Sequence, residues 1–363
     1  MPMQTAKEGG PRKAQASFEY VLLLGIILFL VVFGIIIMRD TGIVNIGWEI
    51  NSTIAQAMPF INSSSLNATL VTVNPIRVTP PPAPTPTPTV TPLPPARLIS
   101  SCKVITYPGY YRLAKDLESN STCISIVSRD VLVDCAGNSI TGIGPAGAAN
   151  AIYAVSVSNA VAKNCVIRNY SAGAYFDSCE FCALENSTTT GSDRGAWFRN
   201  SPHSRAFMVN ASENGIGIFF QHSNGFNATA NLASSNADGF KFESASSGTI
   251  ESNVAANNSG NGFYFFESSQ NAIRNNLAYG NAEGFRLTSY SNDNGFSANN
   301  ATQNAGNGFF FGPSVGNSFA GSRACGNGKN LACVYVQKDG GNNTCGALGA
   351  EVSCLNSVYC LGC

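Results

Sequence analysis

At intervals of 22 to 24 residues the chain places Tyr153, Tyr175, Trp197, Phe219, Lys241, Tyr264, Arg286 and Phe310, six aromatics in eight positions. Two residues after four of them stand Asp177, Arg199, Gln221 and Glu243. Flat rings beside hydrogen-bonding side chains, repeated at a fixed spacing, are what stacking against sugar rings requires. The binding candidates are Tyr175, Trp197 and Phe219, with Asp177, Arg199 and Gln221 as polar partners. The alternative is structural: aromatics raise strand propensity and pack on cross-strand neighbours.

Paired carboxylates for acid–base work are scarcer. Asp238 and Glu283 stand two repeats apart, which at one strand spacing per repeat is roughly 9–10 Å. That is the outer limit of an inverting glycosidase. Lys241 and Arg286 follow them by three residues, so surface ion pairs account for them equally well. Asp177 and Glu243, three repeats apart at about 14 Å, are too far to cooperate. The two histidines, His203 and His222, fall at different offsets, so no copper or other metal site is expected, and no cofactor.

These residues need a repeating scaffold, and the sequence contains one. A small residue opens each repeat at Ala151, Gly173, Gly195, Gly217, Gly239, Gly262, Gly284 and Gly308. One and three residues later come apolar side chains, from Ile152 and Ala154 to Phe309 and Phe311, which alternation directs inward. A second mark, apolar-x-x-Asn, recurs at Val161/Asn164, Ala183/Asn186, Phe207/Asn210, Ile250/Asn253, Ile273/Asn276 and Phe296/Asn299. The repeat at Gly217 departs from it, with Phe226 followed by Thr229. A period near 22 with Gly and Asn corners predicts one coil of a parallel β-helix. Asn in successive coils is expected to stack as an amide ladder inside the corner.

The segment Cys102 to Gly142, together with these repeats, resembles the right-handed parallel β-helix family that includes NosD-like periplasmic proteins and carbohydrate-binding and sugar-hydrolase domains. The resemblance covers about residues 102–330. It implies an all-β right-handed parallel β-helix and leaves activity open, since such folds serve binding modules, lyases, hydrolases and adhesins. Neither the stacked aspartates for calcium nor the adjacent Lys/Arg base of β-helix lyases is present.

Twelve cysteines without paired zinc spacing indicate disulfides and an oxidising compartment. Cys135 and Cys165 share a register one coil apart, and Cys102 with Cys123 closes the N-terminal cap. Cys179-x-x-Cys182 has redox spacing, but on an outward-facing coil with no adjacent helix N-terminus it reads as structural. Cys325, Cys333, Cys345, Cys354, Cys360 and Cys363 crowd the end, where a disulfide knot capping the last coil is expected, a metal cluster being the alternative.

Ahead of the repeats, Tyr20 to Met38 is a run of nineteen uncharged, mostly apolar residues, long enough to cross a bilayer as a helix. Lys7, Arg12 and Lys13 precede it, so the positive-inside rule directs everything after Arg39 outward. The stretch Arg12-Lys13-Ala14-Gln15-Ala16-Ser17-Phe18-Glu19-Tyr20 resembles the class III signal of archaeal type IV pilins. That resemblance implies prepilin peptidase cleavage between Ala14 and Gln15, and Glu19 as the fifth mature residue, its carboxylate paired by a neighbouring pilin-like subunit. Residues 15–60 then read as a hydrophobic to amphipathic helix, 61–78 as a connector, and 79–95 as a polyproline stalk with nine prolines in seventeen residues. The β-helix is expected over 96–324 and the Cys-rich cap over 325–363.

Charge is balanced at 21 basic and 21 acidic residues, which leaves no clustered footprint for nucleic acid. Eleven N-x-S/T sequons, among them Asn51, Asn62, Asn67, Asn120, Asn169, Asn186, Asn227 and Asn342, suit a glycosylated surface protein, with Asn186 expected to be buried in the ladder and unmodified. The expectation is a membrane-anchored or pilus-associated cell-surface protein that recognises glycans or surfaces. A carbohydrate-active enzyme and a passive envelope component are the alternatives.

Overall fold

The computed structural model describes residues 95–144, 148–346, 358 and 360–363. Cleavage at Lys13, Ala14 and Gln15, the Glu19 carboxylate, the Tyr20–Met38 span and the stalk up to residue 94 lie outside them, as does Cys354. Among the described residues no helix is long and apolar enough to cross a membrane.

The described chain winds through three parallel sheets of twelve, twelve and eleven strands, advancing one strand in each sheet per coil. In the eleven-stranded sheet most strands are six residues long, from Asn150–Val155 through Ala172–Asp177, Arg194–Arg199, Ile216–Gln221, Asp238–Glu243 and Asn261–Phe266 to Glu283–Thr288. This is the long-strand sheet. Pairing continues past residue 324, in Lys329–Cys333, Lys338–Asp339, Asn343–Thr344 and Cys360–Leu361, so the cap is built on further coils.

The inward columns are wholly buried, from Ile152 and Ala154 to Phe309 and Phe311. Because equivalent residues superpose coil on coil, their rings stack. Phe176, Phe198 and Phe220 follow at centroid distances of 4.9 and 4.6 Å, and Phe263, Phe285 and Phe309 at 4.6 Å each. The marker glycines have a steric reason. A Cβ on Gly217 would lie 2.5 Å from the carbonyl oxygen of Gly239, so only glycine admits this backbone approach.

The amide ladder forms as expected through Asn253, Asn276 and Asn299, but in the earlier coils its register differs from the expected one. Asn231, Asn253, Asn276 and Asn299 are at most 2% exposed, each of the first three donating its amide to the next at 2.9, 2.9 and 3.0 Å. Asn164, Asn186 and Asn210 are not members. Asn164 and Asn186 sit one position earlier, at positive φ, and Asn186 is exposed. The apolar mark itself was out of step. Val161 and Ala183 precede the inward column of Ala162, Leu184, Ala206 and Ala228 by one residue, and Phe207 follows it. Asn231 belongs to the very repeat that departs from the motif. Two further ladders run through Asn236, Asn258, Asn281, Asn304 and Asn327 and through Asn271, Asn294 and Asn317.

Disulfides join Cys102 to Cys123, Cys135 to Cys165, Cys179 to Cys182, Cys325 to Cys363 and Cys345 to Cys360. Cys333 is also disulfide-bonded. Cys179 and Cys182 do not face outward: both are 0% exposed, where they take corner positions that Ser201 and Ser204 fill one coil later.

Candidate functional site on the long-strand face

Strand register brings the periodic aromatics into one column on the outer surface of the long-strand sheet. Tyr153, Tyr175, Trp197, Phe219, Lys241, Tyr264, Arg286 and Phe310 are consecutive cross-strand partners. Their ring faces are not open. Tyr153 stacks on Tyr175 at 5.2 Å, Tyr175 on Trp197 at 4.2 Å, and Trp197 on Phe219 at 6.0 Å. Where the column lacks a ring, a cation fills in: Lys241 lies 4.9 Å from the Phe219 centroid, and Arg286 lies 5.9 and 5.8 Å from those of Tyr264 and Phe310. Tyr175 and Phe219 are buried, at 8% and 3% exposure. Face-on sugar stacking is therefore excluded for most of the stripe. What remains partly exposed in the stripe is Tyr153, Trp197, Tyr264 and Phe310, together with the polar groups beside the column.

Those polar groups border a depression of about 360 Å³. Its cations are Arg194, Arg199 and Lys241, its floor includes Trp197 and Phe219, and Gln221, His222 and Glu243 complete the wall. Arg194 stacks over Trp197, 4.3 Å from the ring centroid. Arg199 is exposed and donates to the Tyr175 hydroxyl at 3.4 Å, which itself donates to Asp177 at 3.1 Å. Burial, partly offset by the Arg199 hydrogen bond, raises the Tyr175 pKa, with Asp177 adding to the rise.

Among the described residues, Glu243 is the single carboxylate lining the depression. It accepts from Gln221 at 2.9 Å and pairs with Lys241 at 2.9 Å. Burial acts to raise its carboxyl, but the hydrogen bonds from Lys241 and Gln221 and the Lys241 and His222 charges outweigh it and hold the pKa below the usual carboxylate range. The depression thus presents cationic groups with one acid already committed.

The structure gives Asp238 and Glu283 another role. The Asp238 carboxylate accepts from the backbone and side-chain amides of Asn261 at 2.9 and 2.8 Å, and Glu283 accepts the Asn307 backbone amide at 2.9 Å. Each ties its strand to the next coil. The expected ion pairs are absent among the described residues, since Lys241 pairs with Glu243 instead. His203 stacks on Phe181 at 5.0 Å and faces Glu180 at 3.3 Å. No cluster of His, Cys, Asp or Glu among the described residues is arranged to hold a metal.

Arg194 was not legible as a site residue. Strict alternation from Trp197 turns it inward, but the pairing skips from Ala172↔Arg194 to Ala174↔Ala196 and leaves Gly173 and Gly195 out of register. The interruption at the glycine returns Arg194 to the outer face. The signal lay in the marker itself, because a Gly inside a strand often marks such a break.

A family model described as a right handed beta helix region matches residues 150–301. The described domain is a right-handed parallel β-helix. Among solved structures, this β-helix is similar to the A-module of the mannuronan C-5 epimerase AlgE6 of Azotobacter vinelandii, with a TM-score of 0.57 at 12% identity, covering 70% of this chain and 80% of that one. It is similar to the periplasmic alginate epimerase AlgG, with a TM-score of 0.55 at 15% identity over 70% and 74% of the two chains. It also aligns with the Dettilon tailspike protein gp208, with a TM-score of 0.48 at 14% identity, over 72% of this chain but only 60% of that one. For the two epimerases, likeness at these identities establishes fold. No curated protein matches the chain.

Proposed function

We propose that the long-strand face of this β-helix recognises an acidic polysaccharide. The observation that carries the reading is the depression in which, among the described residues, neither Arg194 nor Arg199 has a carboxylate within ion-pair distance, Asp177 reaching Arg199 only through the Tyr175 hydroxyl, beside the Lys241–Glu243 pair and the edge of Trp197. An arginine fork matches a carboxylate or sulfate in a bidentate geometry. The fold neighbours named for mannuronan and alginate, both acidic polysaccharides, support the ligand class by analogy of fold. Binding is favoured over hydrolysis because the depression supplies one carboxylate, already paired, whereas glycoside hydrolysis ordinarily uses two.

In this reading residues 15–60 anchor the domain in the membrane or in a pilus after prepilin peptidase cleavage, and the Pro/Thr stalk holds it away from an outward-facing cell surface. The apolar run, the Gln15-x-Ser17-x-Glu19-Tyr20 stretch and the disulfides support that placement. Mass spectrometry of the surface protein tests it: the expected N-terminus is Gln15, and an intact Met1 overturns the pilin-like assignment.

Isothermal calorimetry with polyuronate and neutral glucan tests the glycan reading. Arg199→Ala is expected to weaken polyuronate binding at least tenfold, or about 1.4 kcal/mol, with the melting temperature unchanged. Equal binding of neutral and acidic polymers, or wild-type affinity in the variant, overturns it.

A further inference from the structure

We infer that Arg286 forms a second anion subsite, so that the ligand is an extended acidic chain spanning several coils; this rests on the glycan reading above. Arg286 occupies the outer column four coils beyond the Arg194–Arg199 strand, a separation of roughly 19 Å at one strand spacing per coil. No mono- or disaccharide bridges that distance.

Three observations single out this residue. Its guanidinium is held between the rings of Tyr264 and Phe310, as that of Arg194 is held over Trp197, so both forks are oriented before any ligand arrives. The Nε atoms of both Arg194 and Arg286 are buried without a hydrogen-bond partner among the described residues, so the terminal nitrogens of each fork are the groups left for a ligand to meet. Among the described residues neither has a carboxylate in ion-pair distance, whereas Arg205 and Arg274 on the adjacent sheet pair with Glu185 and Glu251. Glu283, three residues from Arg286, is turned to the Asn307 amide.

The cations also share a period. Arg194 and Arg199, then Lys241, then Arg286 stand on alternate coils, roughly 10 Å apart. A glycan laid along the helix axis meets a positive group at each of these steps, and the intervening Tyr264 lies between two of them. Such a track favours a polymer over its isolated sugars, because each anion after the first binds at a high effective concentration.

Calorimetry with oligouronates of defined length, from dimer to octamer, tests the subsite. Wild type is expected to gain about tenfold or more in affinity between dimer and octamer. Arg286→Gln is expected to remove most of that gain, leaving only the part that Lys241 supplies, and Arg286→Lys to restore part of it. Thermal unfolding of both variants near the wild-type midpoint establishes that the loss is not one of folding. Wild-type length dependence in a folded Arg286→Gln, or a wild type that binds dimer and octamer equally, overturns the second subsite and leaves the primary one standing. Failure of every oligouronate to bind wild type overturns the glycan reading itself.

Discussion

Single side chains on this solenoid are exposed to two tests because burial and charge act on them in separable ways. Burial pushes the Tyr170 hydroxyl pKa up to about 12, and among the described residues that buried hydroxyl has no hydrogen-bond partner. A group whose folded pKa is raised favours folding fully below its unfolded pKa, about 10, and loses that contribution as pH rises toward 12. Tyr170→Phe removes the unsatisfied group and should raise stability by about 1 kcal/mol or more. Melting curves from pH 9 to 12 should show a shallower alkaline decline in the variant. Glu243 works in the opposite direction, since its lowered pKa stabilises the fold above the unfolded value, about 4.3, and that contribution is lost as pH falls through the folded value. Within the depression the same carboxylate offsets Lys241, so Glu243→Gln should raise polyuronate affinity several-fold in calorimetry. Weaker binding would show that the acid assists the ligand, and unchanged binding that the carboxylate lies outside the ligand's reach.

At the level of elements, the coil is specified by positions where one residue type alone satisfies the backbone. Asn253 accepts from the backbone and side-chain amides of Asn231 and donates to Ala228 and Asn276. Asn253→Ala strands these buried groups, each at about 1–3 kcal/mol, and should lower the melting temperature sharply. Asn186→Ala, at an exposed corner outside the ladder, loses only an exposed bond to Asn164 and strains a positive-φ position, so it should cost about 1–2 kcal/mol, well below the loss at Asn253. Comparable losses in the two variants would contradict the observed register. Gly217→Ala meets the Gly239 carbonyl oxygen at 2.5 Å and should cost about 1–3 kcal/mol or more.

Across the whole molecule, each coil contacts its neighbours, so stability adds along the axis and the ends fray first. Both ends are pinned by disulfides: Cys102–Cys123 at the first coils, Cys325–Cys363 and Cys345–Cys360 at the last. Loss of one such bridge typically costs about 2–5 kcal/mol. Cys345→Ser should therefore speed hydrogen exchange in the strands around Asn343–Thr344 and Cys360–Leu361 while leaving the coils around Phe220 protected. Uniform loss of protection along the solenoid would instead indicate one cooperative unit.

The sequence by itself determined the period, the parallel β-helix and the inward columns, because a repeat that must bury one face writes its spacing directly into residue type: Phe242, Phe265 and Leu287 recur at their intervals and are buried. It also placed Cys135 and Cys165 in contact register, as their bridge shows. Other features depended on offsets of a single residue. Alternation assigned Arg194 inward until the register break at Gly195 reversed it, and the apolar-x-x-Asn motif merged Asn186 with Asn253 though they occupy different columns. The aromatic stripe was legible as a stripe, but whether its faces meet sugar or one another is a matter of ring separation, and at 4.2 Å Tyr175 and Trp197 meet each other. Only tertiary structure sets those distances, because residues 22 apart become neighbours through the stacking of coils, and the same stacking collects Arg194, Arg199, Lys241 and Arg286 along one outer face.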